Sequence, residues 1–459
     1  MLEDSNDKNI DLGKRIDALE KIPLKASIIL AISLASFFTY YDISNYAYIA
    51  PVLKANWNVG DAEIAYGASM TILGYVIGAF GITVVADLYG RKPAFIFSIL
   101  MLCIGSILVS LAADMVQMYI FRLLTGIGIG AEIAIVGAYI GEISPKSKRG
   151  KYTSIIIILG WIGITSSGPI SLLLIGHKFP LMNIDGWRII MGIPGVIALI
   201  SLLFSVRMPE SPRWLLSKRK FKETNLVLVS LGIRSLEKEG EGKEEGMEKT
   251  SFNKEKFSLL LRLFKNKQLL FRILFLTAIW FLVLIPIYAS LLLVVAYTNH
   301  GYSISQSISI NVIGSIGFVA GGVVSIILAD KIERKHQVAV ASSIMGIAFI
   351  LRGLLINDYI GLVVASFIAF GSNAWLISSL LVYTSENFPT KIRSSSSGIV
   401  EGTSRAFATV GPILFILLEP FGFLNTMVAI AAFSLIAAFL IASHGRHTLD
   451  RSLEELNKE

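Results

Sequence analysis

Long apolar segments run through almost the whole chain and are separated by short polar connections. Hydrophobic residues make up 54% of the 459 residues and charged residues only 16%, which leaves too little polar surface to cover a soluble globule. A helix that crosses a bilayer needs about 20 mostly apolar residues. The sequence therefore predicts an all-α integral membrane protein with twelve transmembrane helices, at residues 26–54, 62–86, 92–112, 115–142, 151–176, 187–207, 269–298, 304–329, 336–355, 359–386, 394–418 and 421–443.

A short charged pattern occurs twice, each time at the end of an apolar segment. Its copies are ADLYGRK at residues 86–92 and ADKIERK at residues 329–335. Repetition at corresponding positions indicates two related halves, as in many membrane transporters. We predict two pseudo-symmetric six-helix bundles, an N-terminal one at residues 1–207 with a cytoplasmic tail and a C-terminal one at residues 269–459. Residues 208–268 are the predicted cytoplasmic linker, since Glu237 to Lys249 is too rich in Glu, Lys and Gly to bury a core.

Basic residues are concentrated in alternate loops, and short cytoplasmic loops carry excess Lys and Arg. We therefore expect a multi-pass protein of the plasma (cytoplasmic) membrane with both termini in the cytosol. The net charge of +8 is explained by membrane orientation rather than by nucleic-acid binding, because these residues do not form one basic face. The residues in question are Arg91, Lys92, Lys146, Lys148, Arg149, Lys151, Arg213, Lys218, Arg219, Lys220, Lys222, Lys331, Arg334, Lys335, Lys391 and Arg393.

Three motifs carry a family resemblance. The fourth segment reads Arg122-x-x-x-Gly126-x-Gly128-x-Gly130, EISPKSKRG follows at residues 142–150, and PESPRWL stands at residues 209–215. The second half echoes the middle motif with ENFPTKIR at residues 386–393. The chain resembles the major facilitator superfamily, in particular its sugar-porter-like and metabolite:proton symporter branches. The resemblance implies the major facilitator fold and alternating-access transport of a small polar metabolite.

Departures from the family pattern bear on the substrate. Sugar porters carry paired glutamines and a following Asn in the seventh span, whereas this chain has IPIYAS at residues 285–290. The stretches YYD at residues 40–42, IAP at residues 49–51 and YTSE at residues 383–386 are similar to organic-acid and niacin-type transporters. We therefore expect an organic acid rather than a sugar, with the sugar as the alternative.

Ionisable residues within the apolar segments need an explanation, because each costs about 2.5–3.5 kcal/mol at bilayer depth. Asp42 and Arg122 fall at similar depth on different helices, so they can offset each other's desolvation, and protonation of Asp42 would release Arg122. The resemblance adds that proton-coupled sugar porters use such a pair at these positions. The alternative is a permanent ion pair that holds two helices in register. Glu132 is either a second protonatable site or a hydrogen-bonding residue only.

Candidate substrate-binding residues lie at mid-segment positions. Arg405 is close to the midplane, where a guanidinium would attract a carboxylate or phosphate; pairing with Glu401, one turn back, is the alternative. Trp161 and Trp375 lie away from the membrane interfaces where aromatic belts form. The predicted set is Trp161, Asn373, Trp375, Arg405, Tyr41 and Tyr288.

The loop motifs suggest a cytoplasmic gate built from charged contacts. Asp87 can accept hydrogen bonds from a neighbouring helix N-terminus or pair with Arg91. Exposed ion pairs contribute only about 0–1 kcal/mol each, which suits a gate between near-balanced states. The predicted gate residues are Asp87, Gly90, Arg91, Glu142, Arg149, Asp330, Arg334, Glu386 and Arg393.

Other functions have less support from the sequence. An integral-membrane enzyme needs a convergent catalytic or metal set, and the five histidines lie at span ends or in loops without ligand spacing. A transporter-like sensor would add a sizeable signalling segment. Uniport is the main rival to proton symport. We expect a monomeric carrier in a lipid bilayer, with a small-molecule substrate and protons as partners and no enzymatic activity, cofactor, metal or nucleic acid.

Overall fold

The computed structural model describes residues 12, 15, 16, 18–145, 149–175, 178–179, 184–236, 266–328, 331–388 and 393–448. The first half of the sequence forms helices α1 (Ala26–Trp57), α2 (Asp61–Tyr89), α3 (Arg91–Leu111), α4 (Met115–Ile143), α5 (Arg149–Leu174) and α6 (Gly186–Ser205). Two short helices follow, α7 (Pro212–Ser217) and α8 (Phe221–Ser230). The second half forms α9 (Lys267–Ala289), α10 (Leu293–Asn299), α11 (Ile304–Leu328), α12 (Arg334–Leu354), α13 (Tyr359–Glu386), α14 (Arg393–Ala408), α15 (Gly411–Leu418) and α16 (Phe423–His444).

The helices confirm the predicted all-α membrane fold. Eleven of the helical segments in the described part of the chain are long and apolar enough to cross a membrane, and Ile158–Leu174 within α5 is a shorter apolar stretch at the fifth predicted position. Every predicted segment coincides with a helix, or with a broken helix, to within a few residues. The agreement reflects the length that a bilayer imposes on an apolar helix.

Two regions carry structure that the sequence did not indicate. A minimal antiparallel pair of strands joins β1 (Lys178–Phe179) to β2 (Ile184–Asp185) before α6. The start of the predicted linker folds into α7 and α8, whose Leu216 and Leu228 form a small apolar cluster with Leu12 of the N-terminal tail. The acidic and basic stretch at residues 237–265 lies outside the described residues.

The seventh and eleventh spans are broken where they were predicted to be continuous. Pro286 lacks an amide hydrogen, and α9 ends three residues later in a short 3₁₀ turn before α10. Gly411 and Pro412 open α15 after the end of α14. The two breaks lie against each other, because a Cβ on Gly411 would stand 3.1 Å from the carbonyl oxygen of Ile285.

Glycine stripes bring the same pair of helices together in both halves of the sequence. A Cβ on Gly78 of α2 would collide with the carbonyl oxygen of Ile127 on α4, and one on Gly321 of α11 would collide with the carbonyl oxygen of Gly371 on α13. Gly78 and Gly321 are separated along the chain by the same interval as the two copies of the charged pattern. Close helix contact through small residues, rather than hydrophobicity, drives packing within lipid. The repeat in the sequence is therefore also a repeat in packing.

The chain forms two compact units. Unit 1 contains Met1–Ile43, Leu73–Ser166 and Lys178–Glu245, and unit 2 contains Ser44–Ile72, Ser167–His177 and Gly246–Glu459. Within unit 2, Ala47 and Tyr48 of α1 share an apolar cluster with Val294 of α10 and Ile308 of α11. The proposed bundle boundaries at 1–207, 208–268 and 269–459 stay a prediction.

Candidate functional site

A buried ion pair lies in unit 1, between the first and fourth spans. The Nη1 atom of Arg122 on α4 donates to Oδ2 of Asp42 on α1 at 3.0 Å, and both side chains are only 1% exposed. Two opposite charges removed from water offset each other's desolvation. The second carboxyl oxygen of Asp42, Oδ1, is buried, and the hydroxyl of Ser106 interacts with this carboxyl group. The carboxyl group can therefore take up a proton at Oδ1 while Oδ2 faces the arginine.

Glu132 lies further along α4 and contacts a different part of α1. Its Oε1 accepts a hydrogen bond of 2.7 Å from the hydroxyl of Ser36, and the residue is fully buried. Its Oε2 is buried, and the hydroxyl of Thr39 interacts with the same carboxyl group. Arg122 and Glu132 thus serve separate contacts between the same two helices.

The two aromatic candidates of unit 1, Trp161 and Tyr41, have different neighbours. A Cβ on Gly160 would stand 2.7 Å from the ring of Tyr40, so glycine permits the close approach. The rings of Tyr40 and Trp161 are 6.2 Å apart, and Trp161 is half-buried. Tyr41 is fully buried, and its ring centroid lies 5.5 Å from that of Phe38. The structure brings Trp161 to Tyr40 rather than to Tyr41.

The tenth-span candidates of unit 2 differ in their surroundings. Trp375 donates its indole N–H to Oε1 of Gln337 at 3.1 Å, and Gln337 in turn donates to the carbonyl oxygens of Leu328 and Ile332. Trp375 is thereby tied to the loop that carries the second charged pattern. Asn373 is 8% exposed, and its Oδ1 has no hydrogen-bond partner among the described residues.

The remaining substrate candidates lie beside the helix breaks. The Nη2 atom of Arg405 on α14 is 3.6 Å from Oε2 of Glu401, which is the intrahelical pairing expected as the alternative. The guanidinium also lies 5.7 Å from the ring centre of Trp280 on α9, a cation–π distance. Tyr288 is half-buried, and its Cβ would be 3.1 Å from a Cβ on Gly411 at the facing break.

The first charged pattern forms a compact network in unit 1. Arg91 donates to Oδ1 of Asp87 at 2.7 Å and to Oε1 of Glu142 at 2.8 Å. Of the two roles considered for Asp87, the structure shows the pairing with Arg91. Arg149 belongs to α5, but its side chain lies outside the described residues.

Glu210 completes this network and was not among the predicted gate residues. Its carboxylate accepts hydrogen bonds from the backbone N–H groups of Arg91 at 2.8 Å, Lys92 at 3.2 Å and Ser211 at 2.8 Å, so it caps the start of α3. Burial raises the pKa of Glu210, while these backbone donors oppose that rise. Gly90 has a φ of 120°, and a Cβ there would collide with the Glu210 carboxylate. The PESPRWL motif was the only sequence signal for this contact.

The second copy of the pattern forms a looser network in unit 2. Arg334 lies 3.5 Å from Oε1 of Glu386, and Glu333 accepts a hydrogen bond of 2.9 Å from the backbone N–H of Thr448. Asp330 and the side chain of Arg393, both predicted gate residues, lie outside the described residues.

A polar cluster at the opposite ends of the spans in unit 2 was not predicted. Lys54 of α1 pairs with Asp61 of α2 at 2.7 Å. The side-chain amide of Asn299 on α10 accepts from Lys54 at 2.9 Å and donates to Asp61 at 3.0 Å and to Glu419 at 3.1 Å. This cluster joins both halves of the sequence. The sequence signals for it were Lys54 and Asp61, opposite charges on either side of a short loop.

No group of three or more His, Cys, Asp or Glu side chains suited to a metal ion occurs among the described residues.

Comparisons with known proteins agree with this architecture. The family model described as "Sugar (and other) transporter" matches residues 28–459. A Bacillus subtilis relative named for metabolite transport, YyaJ, is 28% identical over 444 residues, which is 95% of each chain. The arabinose-proton symporter of the same organism is 25% identical and covers 85% of each chain. The inward-open xylose transporter XylE from E. coli has a TM-score of 0.73 at 18% identity, covering 94% of this chain and 99% of its own.

Proposed function

The chain belongs to the sugar (and other) transporter family of the major facilitator superfamily, and on that premise we propose that it is a proton symporter. The observation that carries the proposal is the ion pair of Asp42 and Arg122, each 1% exposed and 3.0 Å apart. A carboxylate at this depth is retained at a cost. Reversible protonation of Asp42 is a function that would explain why this carboxylate is present.

The coupling step is a change of partner. With Asp42 ionised, Arg122 is held on α1 by a charge-assisted hydrogen bond. A proton on Oδ1 removes the negative charge and frees the guanidinium, so the contact between α1 and α4 weakens. Rocking of the two halves about the substrate then has a lower barrier in the protonated state. Glu132 is a second proton-accepting group on the same helix pair.

The substrate that fits best is a small organic acid. The seventh span offers apolar side chains at residues 285–287 in place of amides that hold sugar hydroxyls. Arg405 supplies a cation beside the paired helix breaks, and its 3.6 Å contact with Glu401 is loose enough to be exchanged for a ligand carboxylate. A benzoate transport protein of Acinetobacter baylyi is a relative at 25% identity over 419 residues. Trp161, Asn373, Trp375, Tyr41 and Tyr288 are the other proposed substrate-site residues.

The remaining proposals concern the oligomeric state, the orientation in the membrane, enzymatic activity and the cytoplasmic gate. The protein is proposed to be a monomer of the plasma membrane with both termini cytosolic, and it is proposed to lack enzymatic activity. The Arg91 network and its looser counterpart at Arg334 close the cytoplasmic side, and they break when that side opens.

The test is uptake into proteoliposomes that contain the purified full chain. A panel of labelled small carboxylates, pentoses and hexoses is offered with and without an imposed inward proton gradient. We expect one or more carboxylates to accumulate above the outside concentration only when the gradient is present. Equilibration to the outside concentration in both conditions would establish uniport and overturn the symport proposal.

A further inference from the structure

A cavity of about 470 Å³ lies in unit 2, and one of its lining residues, Asn387, directly follows the proposed gate residue Glu386. It is bounded by the first turns of α9, the end of α13 and the residues that follow α16. These helix ends lie on the side that the basic loops predict to be cytoplasmic, at the depth of lipid headgroups.

The polar lining of the cavity is cationic. Lys267, Arg272 and Arg446 all contribute to it, and no Asp or Glu occurs among its described lining residues. The backbone carbonyl oxygen of Asn387 accepts from Nη1 of Arg272 at 3.3 Å, and the hydroxyl of Tyr383 accepts from the backbone N–H of Arg446 at 2.7 Å. Two of the three cationic residues are therefore anchored at the cavity wall. Such a site suits a phosphate group, which accepts several charge-assisted hydrogen bonds.

The apolar lining continues onto the outer surface of α9. Phe271 and Phe275, one turn apart, stack at 6.1 Å between ring centroids and both line the cavity. Phe271 is 63% exposed and the adjacent Leu274 is 60% exposed. In a membrane-spanning helix such a surface faces acyl chains. The cavity therefore presents cations at headgroup depth and aromatic rings immediately below them.

We propose that this cavity binds the headgroup phosphate of an anionic phospholipid, with one acyl chain lying along Phe271 and Phe275. A free phosphate ion shares the headgroup chemistry but makes no use of the exposed rings. A zwitterionic lipid shares the chain but brings a cationic group toward Lys267 and Arg446. The combination of cationic and apolar lining selects a lipid with net negative charge.

The test measures the thermal unfolding of the purified full chain in detergent while phosphatidylglycerol, phosphatidylcholine or inorganic phosphate is titrated in. We expect phosphatidylglycerol alone to raise the unfolding temperature in a saturable way. In the double variant Lys267→Gln/Arg446→Gln, the concentration for a half-maximal rise should increase roughly twenty-five-fold, about fivefold for each cation removed.

The matched control is Arg207→Gln/Lys222→Gln, which removes two exposed cations from unit 1 and should leave the titration unchanged. Lys267→Gln alone changes an exposed first residue of α9 and gives a variant whose folding is not at risk. An equal response of the wild type and both Lys267 variants would overturn the proposal. An equal rise with inorganic phosphate would also overturn it, in favour of a soluble anion.

Discussion

Two buried arginines, one in each half of the sequence, have opposite surroundings. Arg122 in unit 1 lies 3.0 Å from a carboxylate oxygen of Asp42. Arg352 on α12 in unit 2 is equally buried at 0% exposure, yet its Nη1 and Nη2 have no hydrogen-bond partner among the described residues. Its guanidinium lies 5.0 Å from the ring centre of Phe349 and 5.2 Å from that of Phe370.

One residue of the Arg352 contact occupies the repeat position of Arg122. When Glu142 is aligned with Glu386, Ser366 of α13 takes the position of Arg122. Ser366 accepts a hydrogen bond of 3.3 Å from Nε of Arg352. Arg352 lies on α12, whereas the repeat counterpart of α1, which carries Asp42, is α9, so the two contacts join different helix pairs. Of these two contacts, only that of Arg122 includes a carboxyl group, and the proposed proton coupling is therefore placed at the Asp42–Arg122 pair.

The largest expected effect comes from Arg122→Met. It leaves Asp42 buried without its counter-charge, which should lower the free energy of unfolding by about 3–5 kcal/mol. Thermal or denaturant unfolding in detergent measures this loss. The double variant Asp42→Leu/Arg122→Met should regain most of the stability while transport stays absent. If the single variant had the wild-type free energy of unfolding, the Asp42–Arg122 pair would make no contribution to stability.

A smaller effect tests whether the halves pack alike. Gly78→Ala and Gly321→Ala each place a methyl group against a facing carbonyl oxygen, which should cost about 1–3 kcal/mol of unfolding free energy. Gly81→Ala and Gly322→Ala are matched controls, since no neighbouring atom lies within 4 Å of a Cβ at either position. Equal behaviour of targets and controls would contradict the shared glycine packing.

Arg352→Met should have the opposite sign to Arg122→Met. Removing a buried cation that has no carboxylate partner among the described residues relieves its desolvation cost, so stability should stay unchanged or rise by about 1 kcal/mol. The same unfolding measurement compares the two variants directly. A loss as large as that of Arg122→Met would mean that Arg352 also has a counter-charge, and the contrast would fail.

The smallest expected difference concerns the gate networks. Arg334→Gln removes one partly exposed contact at 3.5 Å and should change the unfolding free energy by less than about 0.5 kcal/mol. Arg91→Gln breaks two contacts, at 2.7 and 2.8 Å, and should cost about 1 kcal/mol. Indistinguishable costs would contradict the unequal tightness of the two networks.

The sequence predicted the helices and the central ion pair because both follow from local physics. Bilayer thickness fixes the length of each apolar segment, and the cost of burying charge requires a partner for Asp42. The breaks after Pro286 and before Gly411 were not predicted, because proline is often accommodated in membrane helices without a break.

Contacts that depend on how distant segments meet could not be read from the sequence. Glu210 caps α3 from a loop more than a hundred residues away, and Asn299 binds three charged residues that lie in different helices. Arg352 lies near the end of the predicted segment 336–355. A long basic side chain at that position is expected to reach the membrane interface, so its burial was not indicated by the sequence. Trp375 was predicted to bind substrate. Its indole N–H instead donates to Gln337 on another helix, a contact that the sequence does not indicate.

The most direct test of proton coupling through the first half is Asp42→Asn in proteoliposomes. Asparagine keeps the shape of the side chain but removes the proton-binding group, so counterflow exchange of substrate should persist while accumulation driven by a pH gradient is lost. Accumulation at the wild-type level in this variant would contradict the account.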